Sequence, residues 1–123
     1  MSEKSPRILF VDDHEDSRAL VSAYLAHQGY QVKTADSCAE GLLRARYEEF
    51  DLFVLDYRFA DGTGRELCEQ IREFDPSTPI VFFSASHPDL QRAALACGAQ
   101  DFVLKPDLDG LTKAVDSTLH AIA

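Results

Sequence analysis

The sequence predicts an α/β domain: a doubly wound, five-stranded parallel sheet of strand order 2-1-3-4-5 with five helices. Three observations carry this. Five short runs rich in Val, Ile, Leu and Phe alternate with amphipathic stretches along the whole chain, the pattern of parallel strands joined by crossover helices. The first, third and fourth runs, RILFV (7–11), DLFVLD (51–56) and PIVFFS (79–84), are nearly all apolar, as strands covered on both faces must be. The second, YQVKTA (30–35), alternates and is more polar, so it belongs at an edge. With DFVLK (101–105) as the fifth strand, these assignments favour one of the two common doubly wound orders, with right-handed crossovers.

The helices follow from apolar spacing and punctuation. Ser17, Leu20, Val21, Tyr24 and Leu25 share one face of the first, and Gly29 stops it. Glu15 and Asp16 read as ordinary first-turn charges. Ser37 and Glu40 have capping-box spacing, and Ala39, Leu42, Leu43 and Arg46 recur at helical intervals behind them. Leu67, Cys68, Ile71 and Phe74 mark the third helix, closed by Pro76. Leu90, Ala93, Ala94 and Cys97 mark the fourth, ended by Gly98. Leu111, Val115, Leu119 and Ile122 mark the fifth. No repeat, low-complexity tract or linker interrupts the pattern, so residues 1–123 read as one domain.

Composition narrows the function. No apolar stretch approaches the roughly 20 residues that span a bilayer, and MSEKSPR lacks the apolar centre of a signal peptide. A soluble, cytoplasmic protein is the expectation. The net charge is −9, which argues against direct nucleic-acid binding by this chain and against anionic membrane surfaces. Cys38, Cys68 and Cys97 are an odd, widely spaced set at apolar helical positions. They fit neither a disulfide framework nor a zinc site and read as reduced, partly buried thiols.

In such sheets ligands bind beyond the carboxyl ends of the strands, where the strand order reverses. That point lies between strands 1 and 3. Strand 1 ends in Asp12 and Asp13, strand 3 in Asp56, strand 4 in Ser84, and strand 5 in Lys105 followed by Pro106. Hard oxygen ligands suit Mg²⁺, which keeps several waters and uses one or two carboxylates plus a phosphate oxygen. A carboxylate can attack phosphorus, a lysine offers a point charge to a phosphoryl oxygen, and a serine offers a hydroxyl. Taken singly, each Asp also reads as a turn or cap residue, Ser84 as a cap and Lys105 as a solvated lysine. Their convergence on one rim favours the chemical reading. His14, opening a helix, is expected in solvent rather than on a metal, and His27, His87 and His120 are given no chemistry.

With these residues in place the chain resembles the receiver domain of two-component response regulators, within the flavodoxin-like class of folds. The resemblance rests on VDD (11–13), LDYRFADGTG (55–64), FFSAS (82–86) and KP (105–106), in order and at family spacing. It implies that Asp56 is the phosphoacceptor and that Asp13 binds Mg²⁺ directly, with Mn²⁺ as a substitute. Asp12 would hold the ion largely through water, and the backbone carbonyl of Arg58 would be a further protein ligand. Lys105 would pair with the phosphoryl group, and Ser84 would bond to it and shift toward it. Ala85 would leave it accessible, and Arg58 and Ser86 would flank and tune it. Phe102 would be the aromatic switch that turns inward on activation. Ala60 stands where many members have proline, which implies a looser loop after Asp56.

The implied donor is a sensor histidine kinase or a histidine phosphotransfer protein. The implied output face is the fourth helix, fifth strand and fifth helix, roughly residues 88–121, reaching a downstream target or a second copy in a phosphorylation-dependent homodimer. The resemblance implies a signalling phosphoacceptor rather than an enzyme, and leaves open a stand-alone regulator or part of a longer one. Two other classes fit the sequence less well. A haloacid-dehalogenase phosphatase needs a second Asp where Arg58 stands, and a flavin module needs a Gly, Ser and Thr-rich loop where DDHED stands. A receiver that no longer takes phosphate is disfavoured because every chemical position is filled.

Overall fold

The computed structural model describes residues 5–85 and 88–121. Each apolar run forms a strand, and each amphipathic stretch a helix. In chain order the elements are β1 (Arg7–Val11), α1 (Glu15–His27), β2 (Gln31–Ala35), α2 (Cys38–Tyr47), β3 (Leu52–Leu55), β4 (Arg58–Phe59), β5 (Gly62–Thr63), α3 (Gly64–Phe74), β6 (Ile80–Ser84), α4 (Pro88–Ala96), β7 (Asp101–Leu104) and α5 (Leu108–Ala121). The main sheet runs β2-β1-β3-β6-β7 and is parallel throughout. With β6 and β7 as the fourth and fifth long strands, this is the order the sequence predicts. The antiparallel β4–β5 pair was not foreseen, because four residues carry no readable period.

Strand alternation splits the core into two layers. Leu9, Val11, Phe53, Leu55, Ile80, Phe82 and Phe102 face one side, against Ala45 of α2, Leu67 and Ile71 of α3, and Ala94 of α4. Ile8, Phe10, Leu52, Val54, Val81 and Phe83 face the other, against Val21 and Leu25 of α1 and Leu111 and Val115 of α5. Tyr24 and Tyr30 donate to Asp109 and Asp116, joining the α1 side to α5.

Two helix faces differ from expectation. Leu20 is exposed, while Val21 and Leu25 carry the contact. In α2 the buried residues are Cys38, Gly41 and Ala45, and Leu43 is 60% exposed. The reason is close approach. A Cβ on Gly41 would lie 3.0 Å from both γ carbons of Val11, so small residues face the sheet and the leucine turns outward. Glu40 accepts from the Asp36 amide rather than from that of Ser37, so the reciprocal capping box is absent there. It appears instead at Thr63 and Glu66, opening α3.

Arg72 closes the far end of this layer. It donates to the carbonyls of Asp75, Thr78 and Gly98 and to the side-chain oxygen of Gln100. Arg72→Ala should therefore destabilise the fold by about 2 kcal/mol, read as a lower urea midpoint at unchanged m-value. An unchanged midpoint would show these bonds to be replaced by water at no cost.

Candidate functional site

The site is built by residues one step past their strands yet still on the sheet's hydrogen-bond ladder. The Asp12 amide donates to Ala35 O, the Asp56 amide to Val11 O and the Lys105 amide to Ser84 O, at 2.9–3.0 Å. The parallel register therefore brings the ends of β1, β3, β6 and β7 to one level. β1 and β3 are neighbours from which the sheet grows in opposite directions, so the crevice between them is the switch point.

Lys105 bridges that crevice. Its Nζ lies 2.6 Å from Asp12 Oδ2 and 3.2 Å from Asp56 Oδ2. Asp12 is fully buried, Asp56 is 5% exposed and Ser84 is 3% exposed. The Asp56 Oδ1 accepts from the Tyr57 amide at 2.7 Å, leaving Oδ2 toward the lysine. Asp12 also accepts from the His14 amide at 2.9 Å and the Ser17 hydroxyl at 2.8 Å.

Burial raises the Asp12 carboxyl, but the bonds from Lys105, His14 and Ser17 outweigh it and hold the group below its ordinary 3.8. Burial likewise lowers Lys105, but its bond to Asp12 and the charge of Asp56 hold it above its ordinary 10.5. A lowered carboxyl contributes stability above its unfolded pKa and loses it as pH falls through the folded value. A raised ammonium contributes below its unfolded pKa and loses it as pH rises through the folded value. The pair is thus whole across neutral pH and weakens at both extremes. Lys105→Met should destabilise at pH 7 by less than the about 3–5 kcal/mol of a fully buried pair, since the lysine side chain is 18% exposed. The gap from wild type should narrow below pH 3.8. Urea midpoints at both pH values check this, and a gap that widens in acid would sink it.

Ligand atoms of Asp12, Asp13, His14 and Asp56 all lie within 4.8 Å of one another. Three carboxylates around one crevice fit a hard divalent cation. His14 is exposed, as expected. Its Nδ1 nevertheless lies 3.2 Å from Asp12 Oδ1 and 3.0 Å from Asp13 Oδ1, a proximity that helical position alone did not reveal. Ser17, assigned only a helix face from sequence, also serves the site, as does Arg18, which donates to Asp12 O. Asp13 and Arg58 are exposed at the rim, as is Ala85 just past Ser84. Phe102 already lies inward, 7% exposed and stacked on Phe82 at 6.3 Å between ring centroids. Ser86 and Ile122 fall outside the described residues.

The loop after Asp56 is held rather than loose. Asp61, at the β4–β5 turn, accepts from the Cys38 and Ala39 amides at 3.0 Å each, capping α2 from another part of the chain. Those two bonds hold its carboxyl below the ordinary range. The looseness inferred from Ala60 is corrected accordingly: an Asx contact and a strand pair do what proline would do locally.

This fold and rim define a class, and comparison with known proteins agrees. Residues 8–116 match the response regulator receiver domain, and the chain belongs to that family of signalling domains. It is 36% identical over 126 residues to the transcriptional regulatory protein GlrR of Escherichia coli, covering 100% of this chain and 28% of GlrR. The chain therefore spans well under a third of that relative. A CheY-like receiver domain protein from Methanospirillum hungatei superposes with a TM-score of 0.90 at 26% identity, over 95% of both chains. The response regulator TrrA of Thermotoga maritima, solved in complex with Mg(2+)-BeF, superposes with a TM-score of 0.85 at 27% identity, over 91% of this chain and 97% of TrrA. Among the described residues no helix is long and apolar enough to cross a membrane.

Proposed function

We propose that the chain is a phosphorylation-switched signalling module in which Asp56 takes a phosphoryl group from the phosphohistidine of a sensor histidine kinase or a histidine phosphotransfer protein. The carrying observation is Lys105 bridging Asp12 and Asp56 at the switch point. An Asp56 carboxylate oxygen attacks phosphorus, the phosphorus–nitrogen bond breaks, and the imidazole leaves with its electron pair. Asp56 then carries an acyl phosphate. Such transfer needs positioning and neutralised charge above all.

Asp13, Asp56 and the Arg58 carbonyl would hold Mg²⁺, with Asp12 acting largely through water. Mn²⁺, which the same oxygen donors suit, would be an acceptable substitute. When bound, the ion neutralises the phosphoryl oxygens. Lys105 supplies the remaining positive charge. Ser84 hydrogen-bonds to the new phosphoryl group and moves toward it, Ala85 leaves it reachable, and Arg58 and Ser86 tune its lifetime. Phe102 reports the state of the switch through its packing on Phe82. The output face is α4, β7 and α5, where Leu95 and Leu104 stand 41% and 51% exposed. A downstream partner or a second copy would cover them. The chain acts as acceptor rather than enzyme, in the cytoplasm.

The test is direct. With Mg²⁺ and a small acyl phosphate donor, intact mass should rise by one phosphoryl group. An unchanged mass with both present would overturn the reading.

A further inference from the structure

Cys68 and Cys97, 29 residues apart in sequence, meet in the fold. Cys68 is fully buried in the middle of α3. Cys97 follows the last residue of α4 and is half-buried, packed against the same core layer. The Cys68 thiol donates to the Cys97 carbonyl at 3.3 Å. The Cys97 thiol donates to Ala94 O at 2.8 Å.

The two environments are unequal. Contact with Cys68 lowers the Cys97 thiol, while that same contact and burial raise Cys68. Burial also pushes Cys38 up to about 12. Cys97 is half-buried and so partly reachable, and Cys68 is shielded and adjacent. That is the arrangement of an attacking and a resolving thiol. Arg72 pins the neighbouring turn through Gly98 O, so the two helices are held in register at this point.

We propose that Cys68 and Cys97 are a peroxide-oxidised pair that closes a disulfide between α3 and the C-terminal end of α4. The Cys97 thiolate attacks one oxygen of hydrogen peroxide, the O–O bond breaks, and Cys97 becomes a sulfenic acid as hydroxide leaves and is protonated to water. The Cys68 sulfur, losing its proton, then attacks the Cys97 sulfur. The S–O bond breaks and the hydroxyl departs with that proton as a second water. Both sulfurs are oxidised and both peroxide oxygens reduced. The bond would tether α4 to α3, restraining one edge of the face assigned to output. The oxidation itself does not depend on that assignment.

The experiment treats the folded chain with hydrogen peroxide, then alkylates and maps it. Two of the three thiols should be lost, intact mass should fall by two hydrogens, and a peptide joining Cys68 to Cys97 should appear and vanish with dithiothreitol. Cys38→Ser should behave identically. Cys97→Ser should abolish the reaction, and Cys68→Ser should leave a dimedone-reactive sulfenic acid at Cys97. Should Cys68→Ser fail to fold, the Cys38→Ser result decides alone. A bond involving Cys38, a bond between two chains, over-oxidation of Cys97 with Cys68 still free, or three unchanged thiols would each overturn the proposal.

Discussion

Asp56→Asn should leave the chain folded and wholly unable to gain a phosphoryl group from a phosphohistidine or an acyl phosphate. The substitution keeps the shape of the side chain and can keep its bond from the Tyr57 amide, now 2.7 Å long. It removes the negative charge that makes a carboxylate oxygen a nucleophile. No neighbour can stand in. Asp12 is fully buried and engaged by Lys105, His14 and Ser17, and Asp13 lies at the exposed rim. Stability should change by no more than about 1 kcal/mol, because Lys105 keeps its shorter contact with Asp12 and one member of a crowded acidic cluster is neutralised. Intact mass after donor treatment, beside a circular dichroism melt, gives both readings at once. Uptake at the wild-type rate would remove Asp56 from its assigned role.

Gly64→Ala should be the most damaging single methyl in the described structure. A Cβ at that position would stand 2.3 Å from the Asp56 carbonyl oxygen, 2.7 Å from Phe82 Cε1 and 3.0 Å from Tyr57 Cα. Two of those three obstacles are backbone, so no rotamer change relieves them. The Gly64 amide also donates to Tyr57 O at 2.6 Å, which holds the start of α3 against the peptide that follows Asp56. The cost should meet or exceed the upper end of ordinary overpacking, about 3 kcal/mol, or about 10 °C in Tm for a domain of this size. It should appear with lost phosphoryl uptake, since the peptide after Asp56 would have to move. A wild-type urea midpoint would show that α3 can retreat freely.

The fold was legible because the strands are long enough and apolar enough to declare their period. The difference between QVKTA and IVFFS places β2 at the edge and β6 inside. The rim followed from strand ends alone, since Asp12, Asp56, Ser84 and Lys105 each occur where an apolar run stops. What escaped was set by contacts between distant segments. The inner face of α2 is chosen by Val11 pressing on Gly41, which helical spacing cannot register. The β4–β5 pair is too short to show alternation. Asp61 looks like a turn residue until its two bonds to the start of α2 are seen. The closeness of Cys68 and Cys97 depends on how α3 and α4 lie side by side, and an odd count of three hid a pair.

The Asp61 contact has a thermodynamic consequence for the rim. Residues 58–63 are fixed by a strand pair, a remote cap and the Thr63–Glu66 box. Ordering a residue costs about 1–2 kcal/mol in backbone entropy, and here that loss is incurred on folding, before any ligand arrives. A cation meeting the Arg58 carbonyl, the ligand proposed above, would find it preorganised, so more of that contact would be expressed as affinity. Severing the cap with Asp61→Ala should therefore weaken Mg²⁺ binding through a less favourable entropy, with little change in enthalpy. Titration calorimetry separates the two.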